Sequence, residues 1–152
     1  MQRLFGVWGW GAKLRKQFFN MPTVAKFEDL EIWQLARALS QKIYPLTFAN
    51  PIAQDFRFKD QIRGTLGSTM DNIAEGFGRG SRFEFVNALS IAKDEAEELK
   101  LQLYRGLDNK YFSEENFTSL FTEADALVKK IGAFIKYLNS AEIKGQKFKN
   151  RS

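Results

Sequence analysis

NIAEGFGRGSRFEF, residues 72–85, sets glycines at alternate positions, Gly76, Gly78 and Gly80, between two stretches with helical apolar spacing. How those glycines are read decides the fold. A G-x-G-x-G run invites a phosphate-binding loop, but such a loop needs a buried strand before it to fix it at a helix N-terminus. The preceding residues Phe58, Ile62, Leu66, Thr69, Ile73 and Phe77 recur at steps of three and four, the period of a helix. The fingerprint therefore fails. Glycines suit a helix C-terminus, where left-handed backbone costs little only without a side chain. Ser81 followed by Glu84 then makes a capping box for the next helix. The stretch predicts a hinge between two helices, with Arg79 and Arg82 projecting from it. It is either a solvated turn or a place where free amides and two arginines hold an anion.

Outward from the hinge, three more stripes appear. Ile32, Ala36, Leu39, Ile43 and Leu46 predict a helix over 27–48, with Pro45 kinking or closing its last turn. The second helix covers 56–77, and Gly64 and Gly67 within it each cost about 1 kcal/mol relative to alanine, a cost that close helix approach would offset. The third covers 82–106, with Phe85, Leu89, Ala92, Ala96, Leu99 and Leu103 on one face. The fourth opens at Ser113 and covers 114–139, carrying Phe117, Leu120, Ala124, Leu127, Ile131, Phe134 and Leu138. Short connections after the second and third helices favour antiparallel neighbours. The fold expected is all-α, an antiparallel up-and-down four-helix bundle with flexible basic tails.

The 152 residues, 44% hydrophobic and 27% charged, suit one globular domain with extensions. Neither cysteine nor histidine occurs, so disulfides, thiolate chemistry, imidazole bases and the commonest metal ligands are excluded. Any catalysis would fall to groups such as Glu75 and Glu84 beside the glycine turn, and both have simpler readings as a surface residue and a cap. No enzyme and no cofactor or metal is expected.

The net charge of +5 resides in the ends. Residues 1–26 hold five basic and no acidic residues, and 144–152 hold four basic and none acidic. Between them, 27–143 carries 14 basic against 18 acidic residues, so the folded part is mildly acidic and the high pI is weak evidence for nucleic-acid binding. The N-terminal segment is broken by Gly6, Gly9 and Gly11, too short in apolar run to span a membrane, and lacks a clean secretory pattern. It reads either as a basic aromatic arm able to touch membrane or RNA, or as a disordered extension before a start at Met21. The expected organisation is an extension over 1–26, the bundle over 27–139 and a basic tail over 140–152, in a cytoplasmic protein.

The runs FEDLEIWQLA (27–36), QIRG (61–64), NIAEGFGRGSRFEF, LSIAKDEAEELKLQL (89–103) and YFSEENF (111–117) resemble the 23S rRNA intervening-sequence protein family. That resemblance implies a four-helix bundle assembling as a homopentamer, a shape shared with accessory proteins of diversity-generating retroelements, and it suggests RNA or nucleic-acid binding. Two departures stand out. Thr69, Met70 and Asp71 replace a proline-containing segment common in the family, which softens an implied kink. Asp94, Glu95, Glu97 and Glu98 make part of the third helix acidic, which argues against nucleic-acid contact along that face.

Two functions follow. In the first, a non-catalytic homo-oligomer binds RNA or DNA through phosphate contacts from Lys59, Arg63, Arg79 and Arg82 with the tail residues Lys144, Lys147 and Lys149. Lys59 and Arg63 lie one helical turn apart and can point the same way. In the second, a structural or adaptor oligomer binds a protein partner through the acidic face and the aromatics Trp33, Tyr104, Tyr111, Phe112 and Tyr137.

Overall fold

The structure, a computed structural model, describes residues 24–140. Among them, four α-helices carry the fold: α1 (Glu31–Ile43), α2 (Phe56–Gly78), α3 (Arg82–Asp108) and α4 (Glu114–Leu138). No strand occurs among the described residues. The arm before residue 24 and the lysines at 144, 147 and 149 lie outside them.

The apolar stripes face one another. Ile62 and Ile73 of α2, Phe85 and Leu89 of α3, and Leu127 and Ile131 of α4 are fully buried together with Leu39 and Ile43 of α1. Each such side chain contributes roughly 1.5–3 kcal/mol by leaving water. Cross-helix contacts give the directions. Thr65 meets Gln102 and Phe77 meets Phe85, so α2 and α3 are antiparallel. Phe85 meets Phe134 and Tyr104 meets Phe117, so α3 and α4 are antiparallel. On the remaining side, Glu31 pairs with Lys130 at 2.7 Å, and Lys42 pairs with Glu123, which closes the bundle between α1 and α4.

The first helix is shorter than its 27–48 expectation. It is flanked by 3-10 turns at Phe27–Asp29 and Tyr44–Phe48, with Leu30 extended between the first turn and α1. Pro45 has no amide to donate back into α1, so the chain tightens where a helix would have continued. Leu46 is only partly buried, and Thr47 is fully buried instead. The Thr47 hydroxyl donates to the Tyr44 carbonyl at 2.6 Å. A further short turn, Ile52–Gln54, leads to Asp55, whose carboxylate caps α2 by accepting from the Phe58 amide at 3.0 Å.

α2 continues unbroken through Thr69, Met70 and Asp71. Gly64 and Gly67 do not mediate a close approach, because a Cβ at either would meet nothing within 4 Å. Gly76 does: a Cβ there would lie 2.4 Å from that of Ala88 and 3.2 Å from the Phe85 ring. At the hinge, Gly80 takes φ 70°, the left-handed conformation anticipated for a helix end. Ser81 accepts from the Glu84 amide at 3.4 Å, the first half of the capping box, and Ser113 accepts from the Asn116 amide at 3.1 Å.

Candidate nucleic-acid interface

The cationic residues singled out from the sequence divide between the two ends of α2. Lys59 and Arg63 stand near its start. Arg79 follows its last residue, roughly 24 Å further along at 1.5 Å per residue.

At the first end, the helical offset of four puts Lys59 and Arg63 on one side of α2, and Pro45 and the 3-10 turn after α1 bring Tyr44 and Phe48 against Arg63. The Arg63 guanidinium lies 4.6 Å from the Tyr44 ring centre and 4.5 Å from that of Phe48. Its Nε donates to Thr47 Oγ1 at 2.8 Å. The buried hydroxyl takes one nitrogen of the fork, so the group is oriented but not consumed. Lys59 lies with its ammonium 4.7 Å from the Phe56 ring centre and donates to the Ala53 carbonyl at 3.4 Å. Phe48 and Phe56 are 66% and 68% exposed, unusual for rings of that size.

Around the same end of α2, a cleft of about 200 Å³ is lined by Asp55, Arg57, Phe58, Gln61, Arg105 and Asn109. The ends of α2 and α3 meet there because the helices run antiparallel. Asp55 contributes a carboxylate, but both its oxygens are engaged, Oδ1 by the Phe58 amide and Oδ2 by the Tyr111 hydroxyl at 2.6 Å. Those two bonds, the tyrosine's first, hold its carboxyl below the ordinary value, and the carboxylate in turn holds the Tyr111 phenol above its own. Arg105 approaches Glu98 only at 3.8 Å, with both half exposed, a pairing too loose to fix the guanidinium. Asp60, exposed on α2, and Asp55 are carboxylates that offset part of the charge of Arg57, Lys59 and Arg63.

At the other end, Arg79 is exposed, but Arg82 does not project as expected. Its Nη1 donates to the Leu138 carbonyl at 3.1 Å and to Asn139 Oδ1 at 3.0 Å, closing the C-terminus of α4. Of the four candidate cations Lys59, Arg63, Arg79 and Arg82, the last is thus tied to the bundle itself. Most of the aromatics expected to form interfaces also turn inward: Phe112 and Tyr137 are buried, Trp33 and Tyr111 partly so, and only Tyr104 is exposed. Phe112 lies against Gly106, where a Cβ would stand 2.2 Å from its ring.

Sequence periodicity missed Tyr44, Phe48, Phe56, Arg57 and Arg105. Pro45 and the ANP break at 49–51 signalled a turn, but nothing local said that its rings would meet α2. On α3, Ile91 and Leu101 are exposed on the same side as Asp94 and Glu98, an apolar and acidic surface of different character. Burial, with Glu98 and Asp94 adding to it, raises the Glu95 carboxyl above its ordinary value.

Over residues 28–133 the sequence matches the family model for the 23S rRNA-intervening sequence protein. The chain belongs to that family. A solved structure from Bacteroides thetaiotaomicron, described as a protein with unknown function from the S23 ribosomal protein family, shares the bundle. That structure superposes with a TM-score of 0.63 at 23% identity, covering 69% of this chain and 98% of its own. No curated protein matches the chain. Among the described residues of this family member, no helix is long and apolar enough to cross a membrane.

Proposed function

We propose that this protein is a non-catalytic, cytoplasmic homo-oligomer, a pentamer, that binds RNA or DNA through phosphate contacts made at the Lys59–Arg63 end of α2. The observation that carries this reading is the orientation of Arg63 by Thr47 and two aromatic rings, which leaves a preorganised cation at the surface. Repetition of that surface in an oligomer turns a few weak phosphate contacts per chain into useful avidity. Arg79 and the lysines at 144, 147 and 149 add to the field without sequence discrimination.

The test is fluorescence anisotropy with RNA and DNA from roughly 50 to 200 mM salt, alongside light scattering. Affinity should fall steeply with salt, and Lys59→Ala with Arg63→Ala should weaken binding and flatten the salt slope. No binding by the parent at the low-salt end would remove the proposal. A monomer mass at micromolar concentration would remove its oligomeric part.

A second reading is supported by Ile91 and Leu101 standing exposed beside Asp94 and Glu98. This face of α3 suits contact with protein, either another copy or an adaptor's partner, better than contact with phosphate.

A further inference from the structure

We infer that the corner formed by Tyr44–Phe48 and the start of α2 binds unpaired nucleotides, whose bases stack on Phe48 and Phe56 while the Arg57–Arg105 cleft receives a phosphate. This rests on the nucleic-acid reading and specifies the form of nucleic acid. The two exposed rings flank the Arg63–Lys59 pair, each with a cation within 5 Å of its centre. Alternating rings and cations is the pattern that single strands require, because a free base offers a π-face and its backbone a charge. A duplex hides its bases in the stack and would meet only the cations.

Two other exposed apolar residues sharpen the assignment. Ile91 and Leu101 on α3 have carboxylates as neighbours, which repel phosphate and leave that face to protein. At the α2 corner the balance is reversed: Arg57, Lys59, Arg63 and Arg105 outnumber Asp60, Glu98 near Arg105, and Asp55, which stays a carboxylate while accepting from Phe58 and Tyr111. Arg57 and Arg105 come from different helices, so the cleft between them exists only in the folded bundle. Base stacking and phosphate contact involve no 2′-hydroxyl, so RNA and DNA single strands should both bind.

The experiment measures anisotropy of the full chain at roughly 50 mM salt with oligo-U, oligo-dT and a duplex of equal length. The single strands should bind about tenfold or more tightly than the duplex. Phe56→Ala should weaken single-strand binding about tenfold or more, with duplex binding and helicity unchanged, and Phe48→Ala, which also removes a ring that orients Arg63, should weaken single-strand binding about tenfold or more and duplex binding by a smaller factor. Phe48→Trp should retain affinity, with its fluorescence quenched on addition of oligo-dT. Arg57→Ala with Arg105→Ala should weaken all three ligands. If the parent binds and the alanine variants bind equally well, the stacking inference is overturned while the phosphate-binding proposal stands. If the parent binds none of the three, the broader proposal falls first. If either phenylalanine variant changes the mass seen by light scattering, the corner is a contact between copies and the inference is overturned.

Discussion

Arg82, the first residue of α3, donates from Nη1 to the carbonyl of Leu138, the last residue of α4, at 3.1 Å. The bond joins the start of one helix to the end of the next and satisfies a carbonyl that its own helix leaves open. It also changes what the hinge arginines can be expected to do.

Arg82→Ala should lower unfolding stability by about 1–2 kcal/mol, because a charge-assisted bond to a helix terminus is lost. Arg79→Ala, at an exposed position, should stay within about 0.5 kcal/mol of the parent. Urea midpoints for the two single variants check this; equal midpoints would mean that the Leu138 contact contributes nothing to stability.

Gly76→Ala should cost about 1–3 kcal/mol, since its Cβ would press on Ala88 and Phe85 where neither partner can withdraw without shifting a helix. Gly64→Ala, with open space around it, should instead stabilise by about 0.5–1 kcal/mol through helix propensity. Thermal melts of the pair at one protein concentration should show shifts of opposite sign.

Thr47→Val removes the hydroxyl that receives Arg63 Nε while keeping a similar volume. A loss of about 1–2 kcal/mol is expected, together with weaker nucleic-acid binding because Arg63 is no longer held in place. Arg63→Lys should bind weakly as well, since an ammonium lacks the flat fork that lies against Tyr44 and Phe48. Full affinity in the lysine variant would show that charge alone suffices.

Asp55 gives stability an acid limb. Its folded carboxyl titrates below the unfolded one, so its contribution is complete above the ordinary carboxylate range and is lost as pH falls through the lowered folded value. Asp55→Asn, which can still cap α2, should show a shallower decline on acidification than the parent. Tyr111→Phe, which deletes the largest cause of the lowering, should move the Asp55 carboxyl back toward the ordinary value, read by NMR titration of the side-chain carbon.

The stripes on α2 and α3 were legible because helical periodicity is a local property, and every residue assigned to those two faces is buried. The end of α1 was less so. Pro45 announced a break, but whether Leu46 or Thr47 would face inward depended on what stood opposite, and Arg63 reaches Thr47 from sixteen residues away. The glycines showed the same division: Gly80 was readable from its place after a helix, whereas Gly76 was distinguished from Gly64 only by the neighbouring helix that touches it.

By itself the sequence determined an all-helical chain, the inward face of each long helix, the turn at residues 79–81 and the absence of imidazole and thiol chemistry. These follow from spacing, chirality and composition, which need no distant partner. Only the tertiary structure decided which cations remain at the surface, tying Arg82 to Leu138, setting Arg63 against Tyr44 and Phe48, and bringing Arg57 to Arg105. A long charged side chain is equally at home in water or against a ring or carbonyl, so its role is settled by whatever the folded bundle places within its reach.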